Sequence, residues 1–152
     1  MRIEEDLKIT SNTDLASKTL INLHYTSRLI EEKLNALLKE HDLSNPQFNV
    51  LRILRGQKGK PASLACIQER MIDRNSNTTR LVDKLIVKNL VKRQTCPENR
   101  RKVEIEITPD GLNLLKELDP ITKNFNTLTL ENFNTEALET LNNLLNKLKI
   151  DE

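Results

Sequence analysis

Between Ser63 and Ile107 the hydrophobic pattern passes from two short helical stretches to an alternating one, and few architectures accommodate that order. Leu64, Ile67 and Met71 share one helical face after Ser63, whose side-chain oxygen suits the N-cap position because it can accept an unpaired N–H of the first turn. The polar run Asp73-Arg74-Asn75-Ser76 breaks the pattern. It resumes with Leu81, Val82, Leu85 and Ile86 and ends at Asn89, a residue that tolerates the left-handed conformation found just past a helix. Two helices joined by a turn of three or four residues form a helix-turn-helix. VKRQT and VEIEI then alternate apolar or β-branched with polar residues around the turn-rich CPENRRK, which predicts a β-hairpin with a basic tip.

The flanking segments read as helices. From about Asp14 to Glu40, Leu15, Leu20, Ile21, Leu29, Ile30, Leu34, Leu37 and Leu38 recur at mostly three- and four-residue spacing without Gly or Pro, predicting one long amphipathic helix. Asn45-Pro46 reads as an N-cap followed by proline at the first position of a helix over 46–55, with Phe48, Leu51 and Leu54 on its apolar face. Thr108-Pro109 restarts a helix by the same logic, with Leu112, Leu115 and Leu118 on one face and Pro120 expected to kink it. Asn134 caps a last helix carrying Leu138, Leu141, Leu144, Leu145 and Leu148. The fold class is therefore mainly α with a small β-hairpin wing. A single domain over 1–152 is expected, with a winged helix-turn-helix lobe at 46–108 flanked by dimerisation helices at 14–42 and 109–149, because 152 residues suit one core. The apolar stripes of the first and last helices need a partner surface, which predicts a symmetric homodimer.

Several function classes fall away. No apolar run exceeds four residues and the first fourteen lack an apolar h-region, so neither membrane insertion nor secretion is indicated, and a reducing cytoplasm is the expected location. Cys66 and Cys96 are too few for a disulfide framework and have no partner at zinc-ligand spacing; His24 and His41 stand seventeen residues apart with no carboxylate pattern around them. His24 is expected to be packed in the first helix and His41 to be on the surface. There is no phosphate-cradling glycine-rich loop and no Gly-x-Ser-x-Gly elbow, so an enzyme is not expected, and no metal or cofactor is implied.

Charge is unevenly distributed. Residues 70–102 carry ten basic side chains (Arg70, Arg74, Arg80, Lys84, Lys88, Lys92, Arg93, Arg100, Arg101, Lys102) against three acidic ones, a surplus of seven in a chain whose net charge is +2. A basic segment within an otherwise acidic chain is the electrostatic footprint of a nucleic-acid contact surface, although a charge block alone can be only a solvated face. The turn Ser76-Asn77-Thr78-Thr79-Arg80 is wholly polar before the apolar positions begin, so the helix presents its N-terminal end to water or to a ligand. Asn can pair with adenine there, Arg with guanine, and a Thr methyl can meet a thymine methyl; the competing reading is that these residues simply cap the helix. Arg100, Arg101 and Lys102 sit at the hairpin turn, within reach of a phosphate backbone or a narrow minor groove. Ser63, Arg74, Ser76, Asn77, Thr79, Arg80, Lys84, Arg100 and Arg101 form the candidate DNA-contact set. Ser63 and Lys84 are its phosphate-positioning members. The alternative is a dimeric winged-helix module that binds protein without binding an operator.

The wording of SNPQFNVLRIL, SLACIQERM, NSNTTRLVDKLIVKNLV, CPENRRKVEIEIT and PDGLNLL resembles the MarR family of bacterial transcriptional regulators over roughly residues 14–149. The most specific piece is TRLVDKL followed by an Arg-Arg wing and the restart Ile107-Thr108-x-x-Gly111. The resemblance implies a cytoplasmic homodimer whose first and last helices interleave, acting as a repressor on a pseudo-palindromic double-stranded DNA operator. It places Ser76, Asn77, Thr79 and Arg80 in the major groove and Arg100 or Arg101 in the minor groove. It also implies release by a small aromatic or anionic ligand, for which His24, Tyr25 and Arg28 are the candidates by position. Two departures stand out: Cys96 where many members open the wing with aspartate, and Asn89 where they have glycine. The family's redox-sensing cysteines lie near the N-terminus, where this chain has none, so thiol sensing by Cys96 is not expected.

Overall fold

The computed structural model describes residues 3–10 and 12–148. The order is α1 (Ile3–Asp6), α2 (Leu15–Lys39), α3 (Asn45–Gly56), α4 (Leu64–Arg70), α5 (Thr78–Val87), β1 (Val91–Thr95), β2 (Val103–Ile107), α6 (Pro109–Thr129) and α7 (Thr135–Leu145). The chain divides into two compact units, Met1–Asn113 and Leu114–Glu152, and the boundary falls within α6.

Helix ends follow the polar residues that satisfy their unpaired backbone groups. Asp14 caps α2: the N–H and hydroxyl of Ser17 both donate to its carboxylate and hold it below the usual aspartate range. Asn134 accepts from the Ala137 N–H at the start of α7. At α3 the cap is Ser44 rather than Asn45. Gln47 N–H donates to Ser44 Oγ at 3.3 Å and Ser44 N–H to Gln47 Oε1 at 3.1 Å, a reciprocal box that puts Pro46 in the first turn, where its missing N–H costs nothing. The short α1 was not anticipated; four residues carry too little periodicity to read. α6 runs on through Pro120.

In the first unit, Leu38, Leu43, Val50, Leu51, Leu54, Ile67, Val82, Leu85, Val91 and Ile105 are all buried, so α3, α4, α5 and the hairpin share one core. The hairpin is antiparallel with Val91 opposite Ile107 and Thr95 opposite Val103. Ala62 adds a short bridge on the other edge of β2: its N–H donates to Ile105 O at 2.9 Å and the Ile105 N–H returns the bond at 2.8 Å.

The outer helices behave differently. Only Leu38 of the α2 stripe is buried, while Leu15 is 78% and Leu20 58% exposed. His24, expected to be packed, is exposed, because the face that carries it is not covered by its own chain; His41, expected on the surface, is half-buried. On α6, Leu115 and Leu118 are fully buried, but Leu112, predicted on the same face, is exposed. No residue of α7 is buried, and Leu141, Leu144, Leu145 and, just beyond the helix, Leu148 face solvent.

Candidate nucleic-acid interface

One side chain sets the geometry of the helix-turn-helix. Gln68, on α4, donates from Nε2 to Arg74 O at 2.9 Å, and its Oε1 accepts the Thr78 hydroxyl. A single amide thus ties the middle of the turn and the first residue of α5 to α4, and Thr78 is buried by that contact rather than offered to solvent. Asn49 of α3 accepts the Ile72 N–H at 2.9 Å and holds the turn's start. Neither Gln68 nor Asn49 was in the candidate set. A Gln or Asn in a helical stretch gives no sign in sequence of which distant backbone group it will meet.

The start of α5 reconciles the two readings of its polar turn. Asn77 is the N-cap: its Oδ1 accepts the Arg80 N–H at 3.1 Å, leaving the amide NH2 to face outward. Thr79, Arg80 and Lys84 are exposed, and among the described residues neither Arg80 nor Lys84 has a side-chain partner. Ser76 does not fit its assignment. Its hydroxyl is buried and unpartnered among the described residues, so it presents nothing to a groove. Ser63 caps α4 by accepting from Cys66 N–H at 3.1 Å, which leaves its own hydroxyl proton available to an acceptor. Arg74 is exposed and its carbonyl is the one held by Gln68.

The far end of α5 closes as the sequence implied. Asn89 adopts φ +59°, with Asn89 N–H bonded to Ile86 O and Leu90 N–H to Leu85 O, the pair of bonds that terminates a helix on a left-handed residue. Lys88 then reaches back to Asp42 and Gln47, clamping the end of α5 to the α2–α3 connection.

At the wing tip the absent aspartate is replaced by a different device. Cys96 N–H donates to Lys102 O, Lys102 N–H to Asn99 O, and Asn99 N–H to Cys96 O, while Asn99 Oδ1 accepts from Arg101 N–H at 3.1 Å. Asn99 therefore folds the turn through the backbone, and Arg100 and Arg101 project from it exposed, without side-chain partners among the described residues. Two other cations of the basic segment are committed internally: Lys92 to Glu106 at 2.8 Å and Arg93 to Asp83 at 2.9 Å.

Away from this face, a cavity of about 480 Å³ is lined by Arg28, Phe48, Arg52, Met71, Ile72 and Asp73 among others, with the Arg52 guanidinium 5.6 Å above the Phe48 ring. A second hollow of about 360 Å³ is lined by Leu20, Leu23, His24, Ser27 and Arg28. Arg28 borders both, His24 only the second; Tyr25 lines neither. Among the described residues no cluster of His, Cys, Asp and Glu would hold a metal ion, and no helix is long and apolar enough to cross a membrane.

Comparison with known proteins decides the family. The MarR family model matches residues 43–103, from the residue before the α3 cap to the first residue of β2. The HTH-type transcriptional regulator MhqR of Bacillus subtilis is 31% identical over 108 residues, covering 71% of this chain and 73% of that protein. The chain belongs to the MarR family. Its relatives in that family are transcriptional regulators, and its fold is theirs: a MarR transcription factor from Planctomyces limnophilus superimposes with a TM-score of 0.69 at 29% identity, covering 90% of this chain and 98% of the other. BpsR of Bordetella bronchiseptica superimposes with a TM-score of 0.78 at 22% identity, covering 93% and 100%. As a MarR-family chain it is a DNA-binding transcriptional regulator with a winged helix-turn-helix.

Proposed function

We propose that this MarR-family chain represses transcription as a homodimer on a pseudo-palindromic operator, with α5 in the major groove and the wing tip at the minor groove. The observation that carries this reading is the set of exposed cations that have no side-chain partner among the described residues: Arg80 and Lys84 on α5, and Arg100 and Arg101 at the wing tip. Ser63, Arg74, Asn77 and Thr79 complete the contact set, and Ser76 acts indirectly, through the turn. The domain division that follows is a DNA-reading lobe over 46–108 with dimerisation helices over 14–42 and 109–149.

Affinity for duplex DNA is expected to fall steeply with salt, because each neutralised phosphate releases condensed counterions and adds roughly −0.9 to the slope of log K against log salt. Four such cations on each of two protomers, up to eight contacts, predict a slope as steep as about −7. Fluorescence anisotropy with fragments of the chain's own promoter region at several salt concentrations measures it. Equal affinity for promoter and random fragments would sink the operator reading and favour the protein-binding alternative.

The dimer follows from surface chemistry. Leu15, Leu20 and Leu23 on α2 and Leu141, Leu144 and Leu145 on α7 are too many exposed leucines for two helices facing only water. At roughly 1.5–3 kcal/mol for each leucine fully buried, even partial cover of this set favours association strongly. Light scattering at micromolar concentration should give twice the chain mass; a monomer would refute it.

Ligand release belongs to the same reading. BpsR has its DNA binding regulated by 6-hydroxynicotinic acid. Here the larger cavity joins α2 to the turn that leads into α5; Arg28 is paired with Glu31 at 2.9 Å, so Arg52, over the Phe48 ring, is the cation that would meet a small aromatic anion. Such a ligand would act only through a difference in affinity between DNA-competent and incompetent arrangements.

A further inference from the structure

We propose that Arg93 is a positioning residue for DNA reading: by holding Asp83 it keeps Arg80 free and shields the phosphates from the only acid on α5. The inference rests on the DNA reading above and extends it to a residue outside the contact set.

The sequence of α5, TTRLVDKLIV, contains one carboxylate. Helical spacing puts Asp83 three residues after Arg80 and four after Thr79, on the same exposed side. A free carboxylate there has two effects on a DNA-reading helix. It attracts the Arg80 guanidinium into an i,i+3 pair, and it repels the phosphates flanking the groove. The first does not happen in this structure, and the charge behind the second is already paired. Asp83 Oδ1 accepts Arg93 Nη2 at 2.9 Å, and Arg80 has no side-chain partner among the described residues.

Strand alternation explains why Arg93 is the residue that arrives. Val91 and Arg93 leave β1 on the same side, Val91 is buried, and the cross-strand neighbour of Arg93 is the fully buried Ile105. That side packs on the helices, and β1 lies against α5. Lys92, one residue earlier, leaves on the opposite side and pairs with Glu106 instead. Arg93, although partly exposed, therefore reaches the recognition helix. It supports binding by cancelling a negative charge, not by touching a phosphate.

The test is a double-mutant cycle on the full-length chain, read by anisotropy against a duplex selected with the wild-type chain and against a shuffled duplex. Arg93→Ala should weaken binding to the selected duplex about tenfold and narrow the ratio between the two duplexes, because Arg80 is drawn to Asp83. Arg93→Lys should retain most of the affinity, since an ammonium still neutralises Asp83 as a point charge. Asp83→Asn should bind at least as tightly as wild type, and the double variant Asp83→Asn with Arg93→Ala should return to within about threefold of it. Two outcomes overturn the proposal while leaving the DNA reading intact. An equal loss from Arg93→Ala with Asp or Asn at position 83 would make Arg93 a DNA contact, and a loss from Asp83→Asn matching that of Arg93→Ala would make the pair a mere strut for the wing. A wild-type chain that binds no duplex overturns the DNA reading itself, and this proposal with it.

Discussion

Replacing Arg80 with alanine is expected to weaken binding to the cognate operator by about 1–3 kcal/mol, roughly 5- to 150-fold, while leaving affinity for unrelated DNA much less affected. The expectation comes from what the side chain lacks. Arg80 is exposed, in the first turn of α5, with no side-chain partner among the described residues, so its fork of donors is available for a guanine edge. Arg80 is also a cleaner probe than Asn77. The Asn77 carbonyl caps the helix, so Asn77→Ala would remove a cap worth about 1 kcal/mol together with any base contact. Lys84→Ala supplies the control, since loss of a phosphate contact should weaken all sequences alike. Binding to a panel of operators with single base-pair changes is the measurement. Uniform weakening by Arg80→Ala across that panel would show that Arg80 meets phosphate and not a base.

Gly111→Ala should be among the most destabilising single substitutions in the first unit. A Cβ at Gly111 would lie 2.3 Å from the carbonyl oxygen of Leu90 and 2.7 Å from Ile107 Cγ1. The oxygen cannot easily move away, because Leu90 O accepts the Thr108 N–H at 3.0 Å. Thr108 in turn donates its hydroxyl to Asn89 O at 2.7 Å and accepts the Gly111 N–H at 3.1 Å. Alanine would favour the helix by up to about 1 kcal/mol over glycine. Overpacking against fixed backbone costs about 1–3 kcal/mol and occasionally more, so the clash wins. Thermal unfolding should show a midpoint lowered by roughly 5 °C or more. An unchanged midpoint would mean that α6 does not start so close to the end of α5 in solution. This contact also gives a physical reason for the Ile107-Thr108-x-x-Gly111 wording noted in the sequence.

What could be read from sequence alone was local. Ser63 as a cap, Asn89 as a left-handed terminator and VKRQT paired with VEIEI as a hairpin all depend on neighbours close in sequence, and each is present in the structure. The error at α3 was also local: Ser44 and Gln47 spell a capping box, but Asn45-Pro46 offers a competing one-residue-later start. What escaped were pairings across long separations. Arg93 with Asp83, Lys88 with Asp42 and Gln68 with the α5 start depend on how finished elements pack, and nothing in a window of ten residues encodes them. The same limit explains the placement of Ser76, whose polar neighbours suggested solvent while the turn folds its hydroxyl inward. His24 went wrong for the opposite reason. A helical stripe reveals that a face wants covering, but not that the chain itself leaves it bare.

The bridge between Ala62 and Ile105 carries a mechanical implication. Ala62 immediately precedes the Ser63 cap of α4, and Ile105 is the midpoint of the second wing strand, so two hydrogen bonds join the middle of the hairpin to the start of α4. A push on the wing tip is then delivered as torque on α4 and not dissipated by a floppy ribbon. On the proposed DNA reading, contacts made at Arg100 and Arg101 and contacts made at Arg80 would be coupled through this joint. Lengthening the 96–102 turn would change how far the wing reaches without changing where it points.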